Sequence, residues 1–181
     1  MSNTTIEEDA IALKSYIKSY PDFPLPGILF RDIFNVFQST DGLKLLSNIL
    51  KKYAIEIAGK VDCVAMLEAR GFLLGTLMAL YLNVPCVPVR KKGKLPGKVA
   101  QIEYSLEYAK DVLEVQLDVL KEGKRVLVID DLLATGGTLD AAIKLLRKTG
   151  AEVVQAVVIM ELCDLEARKK LDIPIKSFIK Y

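Results

Sequence analysis

"RVLVIDDLLATGGTL" (residues 125–139) decides how this chain is read. The aliphatic run Val126–Ile129 reads as a buried strand, and it ends in two adjacent acids, Asp130 and Asp131. Thr135, Gly136, Gly137 and Thr138 then lead into a helical pattern, "TLDAAIKLLRKTG", with Gly150 as its stop. Glycines at such a place let backbone N–H groups approach a ligand, and the helix N-terminus adds partial positive charge. Together with the threonine hydroxyls this makes a cradle for a phosphate group. Two carboxylates beside that cradle would repel the phosphate itself. They suit ribose hydroxyls, a hard cation such as Mg²⁺, or developing positive charge. Taken alone, the same residues are equally well read as strand-end acids followed by a tight turn. A Walker-B-like strand of a nucleoside triphosphatase is a further reading, but no G-x-x-x-x-G-K-[ST] occurs in the chain.

Working outward, "VDCVAMLEA" (61–69), "VPCVPV" (84–89) and "AEVVQAVVIMEL" (151–162) are further apolar strand candidates. Helical patterns cover Ile6–Tyr20, Leu43–Ala58 and Gly71–Leu82, with a short helix at Asp164–Lys170 and a last apolar piece, "IKSFIK". "PDFPLPGILF" (21–30) is too rich in proline to be regular. "RKKGKLPGK" (90–98) opens a basic region of weak periodicity that runs to about Lys110. Continuous apolar strands alternating with helices predict an α/β fold: a mostly parallel, twisted sheet with helices on both faces. Ligands bind such sheets at the carboxyl ends of the strands. That rule selects Glu68–Gly71, Arg90–Gly93, Asp130–Thr138 and Glu161.

The chain has 181 residues, 51% hydrophobic and 27% charged, with a net charge of +2. This is one domain's worth of sequence with no electrostatic demand for nucleic acid or a membrane. No apolar run reaches the roughly 18 residues of a membrane span. The polar start, "MSNTTIEEDA", lacks a signal peptide's apolar region. Cys63, Cys86 and Cys163 are odd in number and set far apart, as free thiols in a reducing, cytoplasmic setting would be. There is no histidine, which excludes Ser-His-Asp and Cys-His catalysis and His-dependent zinc sites.

"VLVIDDLLATGGT" resembles the signature of type I phosphoribosyltransferases, which bind 5-phosphoribosyl-1-pyrophosphate. "FPLPGILFRDI" (23–33), "EARGFLLG" (68–75), "VPVRKKGKLPG" (87–97) and "EYSLEYAKDVLEVQ" (103–116) resemble, in the same order, the adenine-specific members of that family. The resemblance runs from about Pro21 to Tyr181. It implies a type I phosphoribosyltransferase fold as one domain over residues 1–181. Within it, about 1–35 would be an N-terminal hood for the base and about 91–110 a mobile catalytic loop.

The implied reaction belongs to purine salvage: adenine N9 displaces pyrophosphate from ribose C1 and gives AMP, through an oxocarbenium-like transition state. Asp130 and Asp131 would hold the ribose hydroxyls beneath the developing cation. Ala134, Thr135, Gly136, Gly137 and Thr138 would wrap the 5-phosphate. Arg70 would contact pyrophosphate, following a peptide that is often cis in the family. Arg90, Lys91 and Lys94 would serve the same group. Leu29, Phe30 and Arg31, with Leu132, would hold adenine. Glu107 would move a proton on adenine, and Tyr108 would close over the site with it. Ala109 departs from the glycine the family commonly has there, and alanine favours helix by about 1 kcal/mol. Mg²⁺ would enter bound to the substrate, with no fixed protein metal site. The implied partners are adenine and phosphoribosyl pyrophosphate, with a second copy of the chain in a homodimer.

Two alternatives stand beside this reading. One keeps the reaction and changes the base to a 6-oxopurine: hypoxanthine, guanine or xanthine. The other is a non-catalytic regulator that senses phosphoribosyl pyrophosphate. Retention of Glu107 and the basic loop favours catalysis.

Overall fold

Residues 4–105 and 110–181 are described by the computed structural model of the chain. They fall into two compact units, one ending at Glu56 and the other beginning at Ile57.

In the first unit, helix α1 (Ile6–Lys14) starts at a capping box. The Thr5 hydroxyl accepts the Glu8 N–H at 3.1 Å, and the Glu8 carboxylate accepts the Thr5 N–H at 2.7 Å. The helical spacing continues to Tyr20, but the helix ends at Lys14. Strand β1 (Lys18–Tyr20) pairs antiparallel with β2 (Phe30–Asp32), so tertiary pairing overrides local periodicity. Helix α2 (Phe34–Phe37) leads into α3 (Thr40–Glu56), which packs on α1 through Leu13, Leu46, Ile49 and Leu50. Asp9 is buried between them, where it accepts hydrogen bonds from Lys52 Nζ at 2.6 Å and the Thr4 hydroxyl at 2.8 Å.

The second unit is built on β3 (Cys63–Leu67), α4 (Arg70–Leu82), β4 (Cys86–Lys91), β5 (Val99–Ser105), β6 (Lys110–Gln116), β7 (Arg125–Leu133), α5 (Gly137–Lys148), β8 (Glu152–Glu161) and β9 (Ile175–Lys180). The strand order is β5-β6-β4-β3-β7-β8-β9. The five strands from β4 to β9 in that order run parallel, and β5 and β6 add an antiparallel edge. The expected mostly parallel sheet is therefore present. Alternation assigns its faces. Ala65, Leu67, Val126 and Val128 pack in one core with Leu139, Ala142 and Leu146 of α5. Met66 and Ile129 meet α4 at Gly75, where an added Cβ would stand 2.5 Å from Met66 Cβ.

Two further readings need correction. About half of the region expected as a loop over 91–110 is strand: Val99–Ser105 pairs along its length with Lys110–Gln116. Its signal was the alternation Ala100, Ile102, Tyr104, the three side chains packed on the core. The expected helix at Asp164–Lys170 is two 3₁₀ turns, Cys163–Leu165 and Ala167–Lys170, parted by Glu166 at φ 48°.

Those turns explain Glu161. Its carboxylate is only 5% exposed and receives Arg168 Nε at 2.6 Å, Arg168 Nη2 at 2.8 Å and the Ser177 hydroxyl. The Arg168 guanidinium holds the Glu161 carboxyl below its ordinary value. Glu161 thus ties the 3₁₀ segment to β8 and β9. Arg168→Ala strands a buried carboxylate. The expected loss is about 2–3 kcal/mol after allowance for the half-open arginine, or roughly 4–12 °C in the melting midpoint. A midpoint within error of the parent would remove the pair from the stability of the fold.

Candidate active site

Strand β7 carries its acids beyond its last pairing with its neighbour β3, Met66 with Ile129. The two carboxylates differ. Asp131 is 2% exposed and accepts Arg70 Nε at 2.6 Å. Asp130 is half-buried, and its Oδ1 accepts the Asp131 N–H at 2.9 Å. Burial, and then the neighbouring Asp131 charge, push the Asp130 carboxyl well above the usual carboxylate range.

Arg70 is the first residue of α4, directly after β3. The cis peptide lies at Glu68–Ala69, one bond earlier than the peptide adjoining Arg70. The next residue, Gly71, lies against β7: a Cβ there would meet the Ile129 carbonyl oxygen at 2.8 Å and Asp130 Oδ1 at 3.3 Å. Glycine is therefore needed for close approach, and it brings the start of α4 onto the acids.

The residues expected to cradle a phosphate lie between the end of β7 and the first turn of α5. Ala134 and Thr135 form the turn, and Gly136 caps α5 with φ 83°. An added Cβ on Gly136 would meet Ala167 Cβ at 3.1 Å, so the C-terminal 3₁₀ turn backs the loop. Lys170 Nζ reaches the Thr135 carbonyl at 3.4 Å. Burial pushes the Tyr104 hydroxyl above its ordinary value and the nearby Thr138 side chain opposes that rise, and Leu132 is half-buried in β7. Neither Lys170 nor Tyr104 was singled out from sequence, because nothing local marks either as facing this turn.

The basic residues gather at the end of β4. Arg90 Nε donates to Glu68 at 2.6 Å, and its guanidinium lies 5.8 Å from the centre of the Phe72 ring. Lys91 donates its N–H to Glu68 at 3.0 Å and pairs through its ammonium with Asp111 at 2.9 Å. Their mutual hydrogen bond holds Lys91 above and Asp111 below their ordinary values. Glu114 is buried beneath the Gly93–Leu95 turn, where it accepts the N–H groups of Lys94 and Leu95. Sequence reading placed Glu68 at a strand end without giving it a partner, and passed over Glu114 as a functional residue. The alternating acid of an amphipathic strand carries no local sign of what it will receive.

In the first unit, Leu29 is exposed, and Phe30 and Arg31 lie in β2. Phe30 meets Phe23 edge-on with ring centres 5.1 Å apart, and Arg31 donates to the Ser19 hydroxyl. Glu107 and Tyr108 lie outside the described residues. Among the described residues there is no group of three or more Cys, Asp and Glu side chains placed to hold a metal, and no helix long and apolar enough to cross a membrane.

The arrangement can hold a phosphorylated sugar with its phosphate on the α5 N-terminus, its hydroxyls near the acids and a second anionic group near Arg70, Arg90 and Lys94. Comparison with known proteins agrees with that chemistry. Residues 35–180 match the model of the phosphoribosyl transferase domain family. The chain is 44% identical over 181 residues to an adenine phosphoribosyltransferase of Drosophila pseudoobscura pseudoobscura, covering 100% of both chains. It is 48% identical over 169 residues to that of Gluconobacter oxydans (strain 621H), covering 93% of each. The solved structure of adenine phosphoribosyltransferase from Saccharomyces cerevisiae, complexed with D-2,5-dideoxy-2,5-imino-altritol 1,6-bisphosphate and adenine, superposes with a TM-score of 0.90. That match has 38% identity and covers 94% of this chain and 98% of the other.

Proposed function

The chain belongs to the adenine phosphoribosyltransferases of the phosphoribosyltransferase family, and from that premise we propose how its own residues perform the transfer. It is a purine salvage enzyme: it moves the 5-phosphoribosyl group from 5-phosphoribosyl-1-pyrophosphate to adenine N9, giving AMP and pyrophosphate. The relatives support adenine as the base and give no support to a 6-oxopurine enzyme or to a sensor. The observation that carries the residue-level reading is the pair of acids at the end of β7 set directly before the N-terminus of α5.

The Gly136–Thr138 turn takes the 5-phosphate on backbone N–H groups and threonine hydroxyls. Asp130 and Asp131 meet the ribose side and stabilise positive charge as the bond at C1 breaks. Arg70 starts on Asp131 and exchanges to pyrophosphate when substrate enters. Arg90, Lys91 and Lys94 lie on the same side. Adenine is read by Leu29, Phe30 and Arg31, with Leu132 beside the acids; flat apolar contact suits a purine face. The whole chain, residues 1–181, acts as one phosphoribosyltransferase domain. In it about 1–35 serves the base, and the loop within 91–110 carries the proton-transfer group.

Mg²⁺ is proposed to arrive with the substrate. It would neutralise pyrophosphate as a leaving group. The residue set fits this need: Arg70, Arg90 and Lys91 are already paired with Asp131, Glu68 and Asp111, which leaves little formal positive charge for a polyanion. Tight stoichiometric Mg²⁺ binding without phosphoribosyl pyrophosphate would contradict this.

Glu107 is proposed as the group that moves the proton on adenine. Glu107→Gln is expected to lower kcat by about 10²–10⁴-fold while the affinity for phosphoribosyl pyrophosphate stays within about twofold. An unchanged kcat would remove Glu107 from the mechanism.

A cytoplasmic homodimer is the proposed working form. Leu73 and Leu80 of α4 stand 44% and 71% exposed on one helix face, an apolar surface suited to a second copy. Light scattering at micromolar concentration should return twice the chain mass, and a monomer mass would contradict the assignment.

A further inference from the structure

Lys94 lies in an exposed turn between β4 and β5, with Gly93 and Gly97 at φ 79° and 78°. Little packing fixes such a turn. Yet the backbone of Lys94 is held at both ends. Its N–H donates to Glu114 Oε1 at 2.9 Å, and its carbonyl accepts Arg90 Nη1 at 3.1 Å. The same Glu114 oxygen takes the Leu95 N–H at 2.8 Å, and Oε2 takes Gln101 Nε2 at 3.2 Å. Successive N–H groups converging on an anion form a nest. Here the nest is filled by the chain's own carboxylate, 1% exposed, on the middle of β6 opposite Arg90 and Gln101. Burial raises the Glu114 carboxyl, but the N–H groups of Leu95, Gly93 and Lys94 outweigh it and hold it below its ordinary value. Glu114 therefore stays ionised under the turn at neutral pH.

A buried carboxylate is a costly way to fix a surface loop unless the position of that loop matters. We infer that Glu114 is a positioning residue for the pyrophosphate end of the site: by holding the Gly93–Leu95 turn it presets Lys94, and through the Lys94 carbonyl also Arg90, before substrate arrives. Glu114 itself does not touch substrate. The gain is preorganisation, because long basic side chains on a fixed turn lose less freedom on binding. The inference rests on the proposed role of Lys94 toward pyrophosphate.

The test is steady-state kinetics on Glu114→Ala, Glu114→Gln, Lys94→Ala and the Glu114→Ala/Lys94→Ala double variant, with thermal melts to confirm folding. Glu114→Ala should raise KM for phosphoribosyl pyrophosphate roughly tenfold, the scale of freeing one or two ordered side chains. Its kcat and its KM for adenine should stay within about twofold of the parent. Lys94→Ala should raise the same KM. The double variant should be less than additive, because the part of the Glu114→Ala effect that runs through the Lys94 side chain is lost once that side chain is gone. Glu114→Gln keeps an acceptor for the turn and should show a smaller rise in the same KM. It carries the test if Glu114→Ala does not fold. If Lys94→Ala raises KM and neither Glu114 variant does, the inference fails while the Lys94 reading survives. A fully additive double variant, or an equal rise in KM for adenine, would also overturn it. A silent Lys94→Ala removes the Lys94 reading and the inference with it.

Discussion

Asp130→Asn is expected to make the unliganded protein more stable and the enzyme nearly inactive. The stability half follows from linkage. Burial and the Asp131 charge raise the Asp130 carboxyl in the folded state, so the folded chain holds this proton more tightly than the unfolded chain does. The unfolded state then binds fewer protons, and stability falls as pH rises from about 3.9, the ordinary Asp value, through the raised folded value. Above that window the cost of the ionised group is fully present. Asn has nearly the same shape, can still accept the Asp131 N–H, and carries no charge. Each ~1 kcal/mol released should raise the melting midpoint by roughly 2–4 °C at pH 7, and the gain should vanish below about pH 4. The activity half follows from the proposed role: losing one preorganised charge at a developing cation costs about 10²-fold or more in kcat. Melting curves at pH 4 and pH 7 with a kcat measurement check both halves. A variant less stable at pH 7 would contradict the electrostatic account of this site.

Gly71→Ala should cost activity although residue 71 itself offers no side chain to the substrate. Its Cβ would stand 2.8 Å from the Ile129 carbonyl oxygen, a backbone atom in the middle of the sheet, and 3.3 Å from Asp130 Oδ1. The strand cannot yield, so the start of α4 must move, and Arg70 moves with it. Overpacking of this kind costs about 1–3 kcal/mol in stability, and an ångström of misplacement costs about 10²-fold in rate. The expected result is a kcat/KM for phosphoribosyl pyrophosphate lower by about 10²-fold, with a folded protein. Parent-like kinetics would mean that the contact of α4 with β7 does not set the Arg70 geometry.

Much of this was legible in the sequence because the chemistry is local there. A run from a buried strand through two acids and a glycine turn into a helix keeps its parts together in three dimensions, and Asp130 to Thr138 stand where the pattern implied. Helices α3, α4 and α5 and the parallel strands followed from period and length, with ends shifted by a few residues. The antiparallel edge was harder. Val99–Ser105 alternates polar and apolar residues, so its strand signal is spread thinly through a charged stretch. The pairings around the site were not legible at all. Arg70 with Asp131 spans 61 positions, and Arg90 with Glu68 spans 22. Nor could composition tell that the Glu161 carboxylate, at the end of a strand where ligands bind, is consumed by Arg168 seven residues later.

The central claim is that this site transfers phosphoribose to adenine. The most direct measurement is product formation by purified protein with Mg²⁺ and phosphoribosyl pyrophosphate, with adenine, hypoxanthine, guanine and xanthine offered separately. The account predicts AMP and pyrophosphate from adenine and no nucleotide from the three 6-oxopurines. Nucleotide from an oxopurine in place of adenine would contradict the base assignment. No product from any base, with phosphoribosyl pyrophosphate still bound, would contradict the catalytic reading itself.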